Sequence, residues 1–123
     1  MDGMQRQDAE DSFADILARD GRYDPMAYSF ALAAFARLFD GGEGRNVTTA
    51  EFLEEFRAGA LDDFGPMAWA VMRGWGLESC ADIGEVVFNL AESGRIGKSD
   101  GDRRADFIGG FDFKTEFLDP FAA

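Results

Sequence analysis

The sequence predicts a mainly α fold, with about five helices in one domain and a C-terminal wing-like β-hairpin. Three observations carry that expectation. Apolar residues recur at helical spacing in successive stretches between residues 12 and 93. Cap residues and glycines bound those stretches. Near the end, the runs RIGK and ADFI flank SDGDRR, where Asp100-Gly101 is a good turn dipeptide. Helices followed by a hairpin give the order of elements found in winged-helix DNA readers.

Each element has its own local signature. Ser12 precedes Phe13, Ile16 and Leu17, which predicts a short first helix with Ser12 as N-cap, stopped by Asp20-Gly21. Asp24-Pro25 opens the second, with Asp as cap and Pro at the first helical position. Tyr28, Leu32, Phe35 and Phe39 share one face of it. Met26, Phe30, Ala33 and Ala34 widen that face, so this is the expected central buried helix. The third begins at VTTAEFLEEF, where Thr48 and Glu51 form a capping-box pattern and Val47 and Phe52 a hydrophobic staple. FGP at 64–66 turns the chain into PMAWAVMRGWG, with Gly74 and Gly76 as stops. Ser79 and Asp82 offer a second capping-type start for a helix whose apolar face is Ile83, Val86, Val87 and Leu90, ended by Gly94. For residues 95–108 a rival reading stands beside the hairpin: Ser99 as N-cap of one short helix over 100–108.

Composition narrows the function classes. The chain has 123 residues, 46% apolar, and 13 phenylalanines against two Trp and two Tyr, so a core built on phenyl rings is expected. The leader MDGMQRQDAED carries no apolar h-region, so no secretory signal is expected. The longest apolar run, YSFALAAFA, is far short of the roughly 20 residues of a membrane span. Cys80 is the single cysteine, which excludes an intrachain disulfide and fits a reducing cytoplasm. A net charge of −12 disfavours anionic polymers and anionic membrane surfaces. Of 12 basic residues only Lys98 and Lys114 are lysines; a high-salt cell interior and codon bias both produce such an acidic, Arg-biased chain.

Four constellations bear on function. The basic residues Arg95, Lys98, Arg103 and Arg104 gather in the expected hairpin, a natural place for phosphate contacts. The helix that would enter the major groove opposes that reading: it carries Glu78, Asp82, Glu85 and Glu92, no base, and only Asn89 as a donor for a base edge. The stretch 40–51, DGGEGRNVTTAE, has the length of a calcium loop, but Gly42 and Gly44 offer no side-chain oxygen and Arg45 stands where a glycine is required. No metal or cofactor is therefore expected. For catalysis the inventory is poor. Histidine is absent, Cys80 has no basic neighbour, and Asp62-Asp63 and Glu54-Glu55 read as solvated helix faces. Finally, Phe107, Phe111, Phe113, Phe117 and Phe121 crowd the end of the chain among acids, either strapping the core or docking into a partner. Trp69 and Trp75, six apart, do not share a helix face, which leaves one of them as a candidate interface anchor.

Residues 64–113 also carry a family resemblance. FGPMA, WG followed by an S-x-x-D helix start, GE-x-VFNL-x-E-x-G, the GK pair and the closing DF…FDF resemble a family of small, acidic, uncharacterised bacterial proteins; LARDGRYDPMAY and VTTAEFLEEFR fit its beginning. The resemblance implies a bacterial, cytoplasmic, single-domain protein and assigns no mechanism.

The expectation is thus a flexible acidic N-terminus at 1–11, a helical domain at 12–113 and a tail at 114–123. Its function is expected to be a non-enzymatic, cytoplasmic protein-interaction module with no catalytic residue. Phe111, Phe113, Phe117 and Phe121 are the candidate interface, and the partner is another protein or a second copy. Phe117 and Phe121 are expected to be the dispensable, partner-facing part and Trp75 to be core. The alternative is a DNA-binding transcriptional regulator using Arg95, Lys98, Arg103 and Arg104, and the third reading is an enzyme with a carboxylate-only site.

Overall fold

The computed structural model describes residues 6–39, 47–97 and 104–122. Among them the chain forms seven α-helices and no strand: α1 (Arg6–Ser12), α2 (Ala14–Arg19), α3 (Pro25–Phe39), α4 (Thr49–Phe64), α5 (Ala68–Gly74), α6 (Cys80–Glu92) and α7 (Arg104–Ile108). Short 3₁₀ turns at Gly65–Met67 and Asp119–Phe121, and one turn of π-helix at Lys114–Leu118, complete the order. The mainly helical expectation holds. The hairpin does not.

The N-terminal part is a helix with a bend. The Phe13 N–H donates to the Ala9 carbonyl (3.0 Å) and the Leu17 N–H to the Phe13 carbonyl (2.9 Å), so bonding continues through the break at Phe13. Ser12 therefore ends α1 and does not cap a helix start. Ala9, Phe13 and Ile16 recur at helical spacing and are all buried. Residues 6–11 of the expected flexible lead-in are thus a packed element.

α3 lies at the centre, packed against α1, α4 and α6. Its start is as read: Asp24 Oδ1 accepts the Met26 N–H at 2.9 Å, beside Pro25 at the first helical position. Its buried stripe differs. Ala27, Tyr28, Phe30, Ala31 and Ala34 are inside, while Phe39 is 43% exposed. Small alanines let neighbouring helices come close, and the larger side chains spread along the margins.

α4 begins with the full capping box. The Glu51 N–H donates to Thr48 Oγ1 and the Thr48 N–H to Glu51 Oε1, both at 3.0 Å. Phe52, Leu53, Phe56, Gly59 and Ala60 are its buried residues. α5 and α6 end alike. Gly76 (φ 90°) and Gly94 (φ 83°) each let the chain reverse. The Leu77 N–H then reaches the Met72 carbonyl (2.9 Å), and the Arg95 N–H the Leu90 carbonyl (3.0 Å).

The second strand of the expected wing is α7. The rival short-helix reading matches it over 104–108, and the Asp100-Gly101 dipeptide lies outside the described residues. The reason for the helix sits opposite, on α6. A Cβ at Gly84 would fall 2.8 Å from the Phe107 ring, so that ring occupies the space a side chain would have taken. Phe107 is 2% exposed and meets Phe88 edge to face at 5.8 Å. A helical turn lets this one ring enter while Ile108 stays 69% exposed.

Candidate interaction surface

The chain after Gly110 folds as a strap with one wet side. Asp112 starts it. Asp112 Oδ2 accepts both the Thr115 N–H and the Thr115 hydroxyl at 2.9 Å, which holds the carboxyl below its ordinary range. The π turn follows and carries Phe117 inward. Phe111, Phe113 and Phe117 then form a mutual cluster with ring centroids 5.1–5.5 Å apart, two of the three pairs being edge to face. The Cys80 thiol donates to the Phe111 carbonyl at 3.3 Å, and burial pushes that thiol up to about 11, so it stays protonated and unreactive. The space at Gly110 is filled by Cys80 and Leu53, which would lie 2.8 Å from an added Cβ.

The four expected interface phenylalanines accordingly separate. Phe113 (3% exposed) and Phe117 (0%) are core, Phe111 is half-buried, and Phe121 is 44% exposed. Phe117 is therefore not a partner-facing residue of a dispensable tail. Trp75 is half-buried between Phe30 (5.4 Å) and Phe64 (5.6 Å), in keeping with a packing role. Trp69 is half-buried too, with the Arg73 guanidinium over its ring at 5.2 Å.

Phe121 has company that sequence reasoning missed. The π turn packs against the Gly65–Met67 turn and α5. On these adjoining segments Met67 is 60% and Leu118 36% exposed. Asp62 and Asp63, at the end of α4 just before the Met67 turn, are exposed and make no ion pair with a described residue. The available sign was Met67 itself: it follows Pro66 at the start of a helix, where a side chain points off the end of the buried stripe.

The basic set is differently employed. Lys98 and Arg103 lie outside the described residues. Arg95 grips Asp15 with two nitrogens (2.6 and 2.8 Å), donates to the Ser12 carbonyl and covers Phe13. Arg104 donates to Glu85 at 2.7 Å and lies over Phe88 at 4.9 Å. Asn89, the one candidate for a base edge, donates to Asp20 and to the Tyr28 hydroxyl, both at 3.0 Å. Asp82 accepts the Tyr23 hydroxyl (2.7 Å) and the Glu78 N–H (2.9 Å). These side chains hold the fold's own elements together.

No group of side chains suited to a metal ion occurs among the described residues, and residues 40–46 of the glycine-rich loop lie outside them. No described helix is long and apolar enough to cross a membrane. Comparison with protein-family models, with curated proteins and with solved structures finds no match, so the resemblance noted in the sequence brings no family with it.

Proposed function

We propose that the protein is a non-enzymatic interaction module whose partner is another protein, seated on Met67, Leu118 and Phe121. The observation that carries this reading is the display of three large apolar side chains on adjoining turns at the end of a tightly packed aromatic strap. Asp62 and Asp63 beside them favour a partner with an apolar anchor and a basic rim. A second copy of a chain with net charge −12 would bring like charges together, which disfavours it. The same reading puts the module in a reducing cytoplasm, with Cys80 as its lone, buried thiol.

The test is a pair of substitutions four residues apart. Phe121→Glu is expected to leave urea-unfolding stability within about 0.5 kcal/mol, as for other exposed positions, and to abolish capture of the partner that the native protein retains. Phe117→Ala is expected to cost roughly 3–5 kcal/mol, as for other buried phenylalanines. Retention of the same partner by Phe121→Glu and by Met67→Glu would refute the surface. Self-association lost in both variants would make the partner a second copy. A salt-sensitive shift of duplex DNA would restore the regulator reading, since its salt slope counts phosphate contacts.

A further inference from the structure

In a chain with 24 acids and 12 bases, most cations should be spoken for, and they are. Among the described residues, Arg6, Arg19, Arg22, Arg37, Arg57, Arg95, Arg104 and Lys114 each make an ion pair with a described carboxylate. Arg73, exposed in the last turn of α5, makes none; its described contact is the Trp69 ring. It also lines a concavity of about 460 Å³, together with Arg6, Arg22, Tyr23, Asp24 and Trp75.

The walls of this concavity are fixed. The Asp24 N–H donates to the Trp75 carbonyl at 3.0 Å, tying the α2–α3 connection to the end of α5. Gly76 makes that approach possible: a Cβ there would fall 2.5 Å from the Arg22 carbonyl oxygen. The cations on the walls are held from behind. Arg6 donates to Asp24 at 2.9 Å, and Arg22 grips Asp20 with two nitrogens at 2.9 and 2.7 Å. Three arginines and one aspartate are among the residues that line the space. Arg6 is paired with Asp24 and Glu10, Arg22 with Asp20 and Glu85, and of the three arginines Arg73 alone has no described carboxylate partner.

We infer that this concavity binds a small molecule through a carboxylate or phosphate group, with Arg73 as the principal contact and the half-buried Trp75 beside the ligand's body. A guanidinium is a fork of donors that matches two oxygens of either group. Its place on pre-set walls lowers the ordering cost of binding. The site shares no residue with the apolar set of Met67, Leu118 and Phe121, so either reading stands or falls alone.

Tryptophan fluorescence titrations with inorganic phosphate and with malonate, at ionic strength held constant with chloride, test it. Saturable quenching by at least one anion is expected, and which one responds tells phosphate from carboxylate. Arg73→Gln is expected to weaken that response at least tenfold with an unchanged melting temperature, because charge-assisted hydrogen bonds are at stake. Lys114→Gln, outside the concavity, is expected to leave it intact. Were Arg73→Gln to melt early, Arg73→Lys would serve in its place: the charge stays, the fork is lost, and weaker binding is expected. No saturable response to either anion overturns the inference. So does a response that the Arg73 substitution weakens less than tenfold, or one that Lys114→Gln weakens equally.

Discussion

Thr48 and Ser79 occupy equivalent places, each one residue before a helix and each followed three residues later by an acid. Only Thr48 is used as a cap. At Ser79 the side chain makes no cap bond: the Asp82 N–H donates to the Ser79 carbonyl at 3.0 Å, and the Asp82 carboxylate takes the Tyr23 hydroxyl and the Glu78 N–H in place of the reciprocal bond. Thr48→Ala is therefore expected to cost about 1 kcal/mol in urea unfolding and Ser79→Ala only a few tenths. Equal losses would mean that the two caps do the same work. The sequence could not separate these sites. The pattern S/T-x-x-D/E states which groups are able to bond, whereas at Asp82 the carboxylate is taken by a tyrosine 59 residues away. The phenylalanines show the same limit. Phe113, Phe117 and Phe121 are evenly spaced in sequence, yet the first two are buried and the third, in the 3₁₀ turn after the π turn, is exposed.

Among elements, helix ends were the most legible feature, since caps, Pro and Gly act through local backbone geometry. Asp24-Pro25, Thr48, Gly76 and Gly94 were all readable for that reason. α7 was not. Four residues, ADFI, are too few for a period of 2 to be told from one of 3.6. The clue lay on another element, in the glycine that interrupts the apolar face of α6. This has an energetic consequence. Gly→Ala in an exposed helix interior gains up to about 1 kcal/mol. At Gly84 the methyl would meet Phe107 at 2.8 Å, so Gly84→Ala is expected to destabilise by about 1–3 kcal/mol through overpacking. Gly84→Ala in a Phe107→Ala background should recover the helix-propensity gain. A stabilising single substitution, measured by urea unfolding, would show that α7 does not dock there.

For the whole molecule, ionisation sets a window of stability. The Arg95 hydrogen bonds hold Asp15 down to about 2, and those from Arg22 hold Asp20 well below the carboxylate range; Glu54, beside Arg57, is lowered as well. A lowered carboxylate contributes stability above its unfolded value, near 4, and loses it as pH falls toward the folded value. Cys80, Tyr23 and Tyr28 are raised by burial. Each contributes below its unfolded value and loses that contribution as pH rises through the folded one. Melting temperature is thus expected to be flat from about pH 5 to 8, to fall below about 4, and to fall again above about 9. A maximum at pH 4 or lower would show that relief of the −12 charge outweighs these bonds. The ties of Asp15 and Asp20 have a further bearing on how the chain is made. Among their partners are Arg95, 80 residues beyond Asp15, and Asn89, 69 beyond Asp20. During synthesis α1 and α2 leave the ribosome before α6, so these ties close only after α6 and Arg95 have followed. Phe13 can meet Tyr28 of α3 early, whereas the ties of Asp15 to Arg95 and of Asp20 to Asn89 must wait for the chain to return.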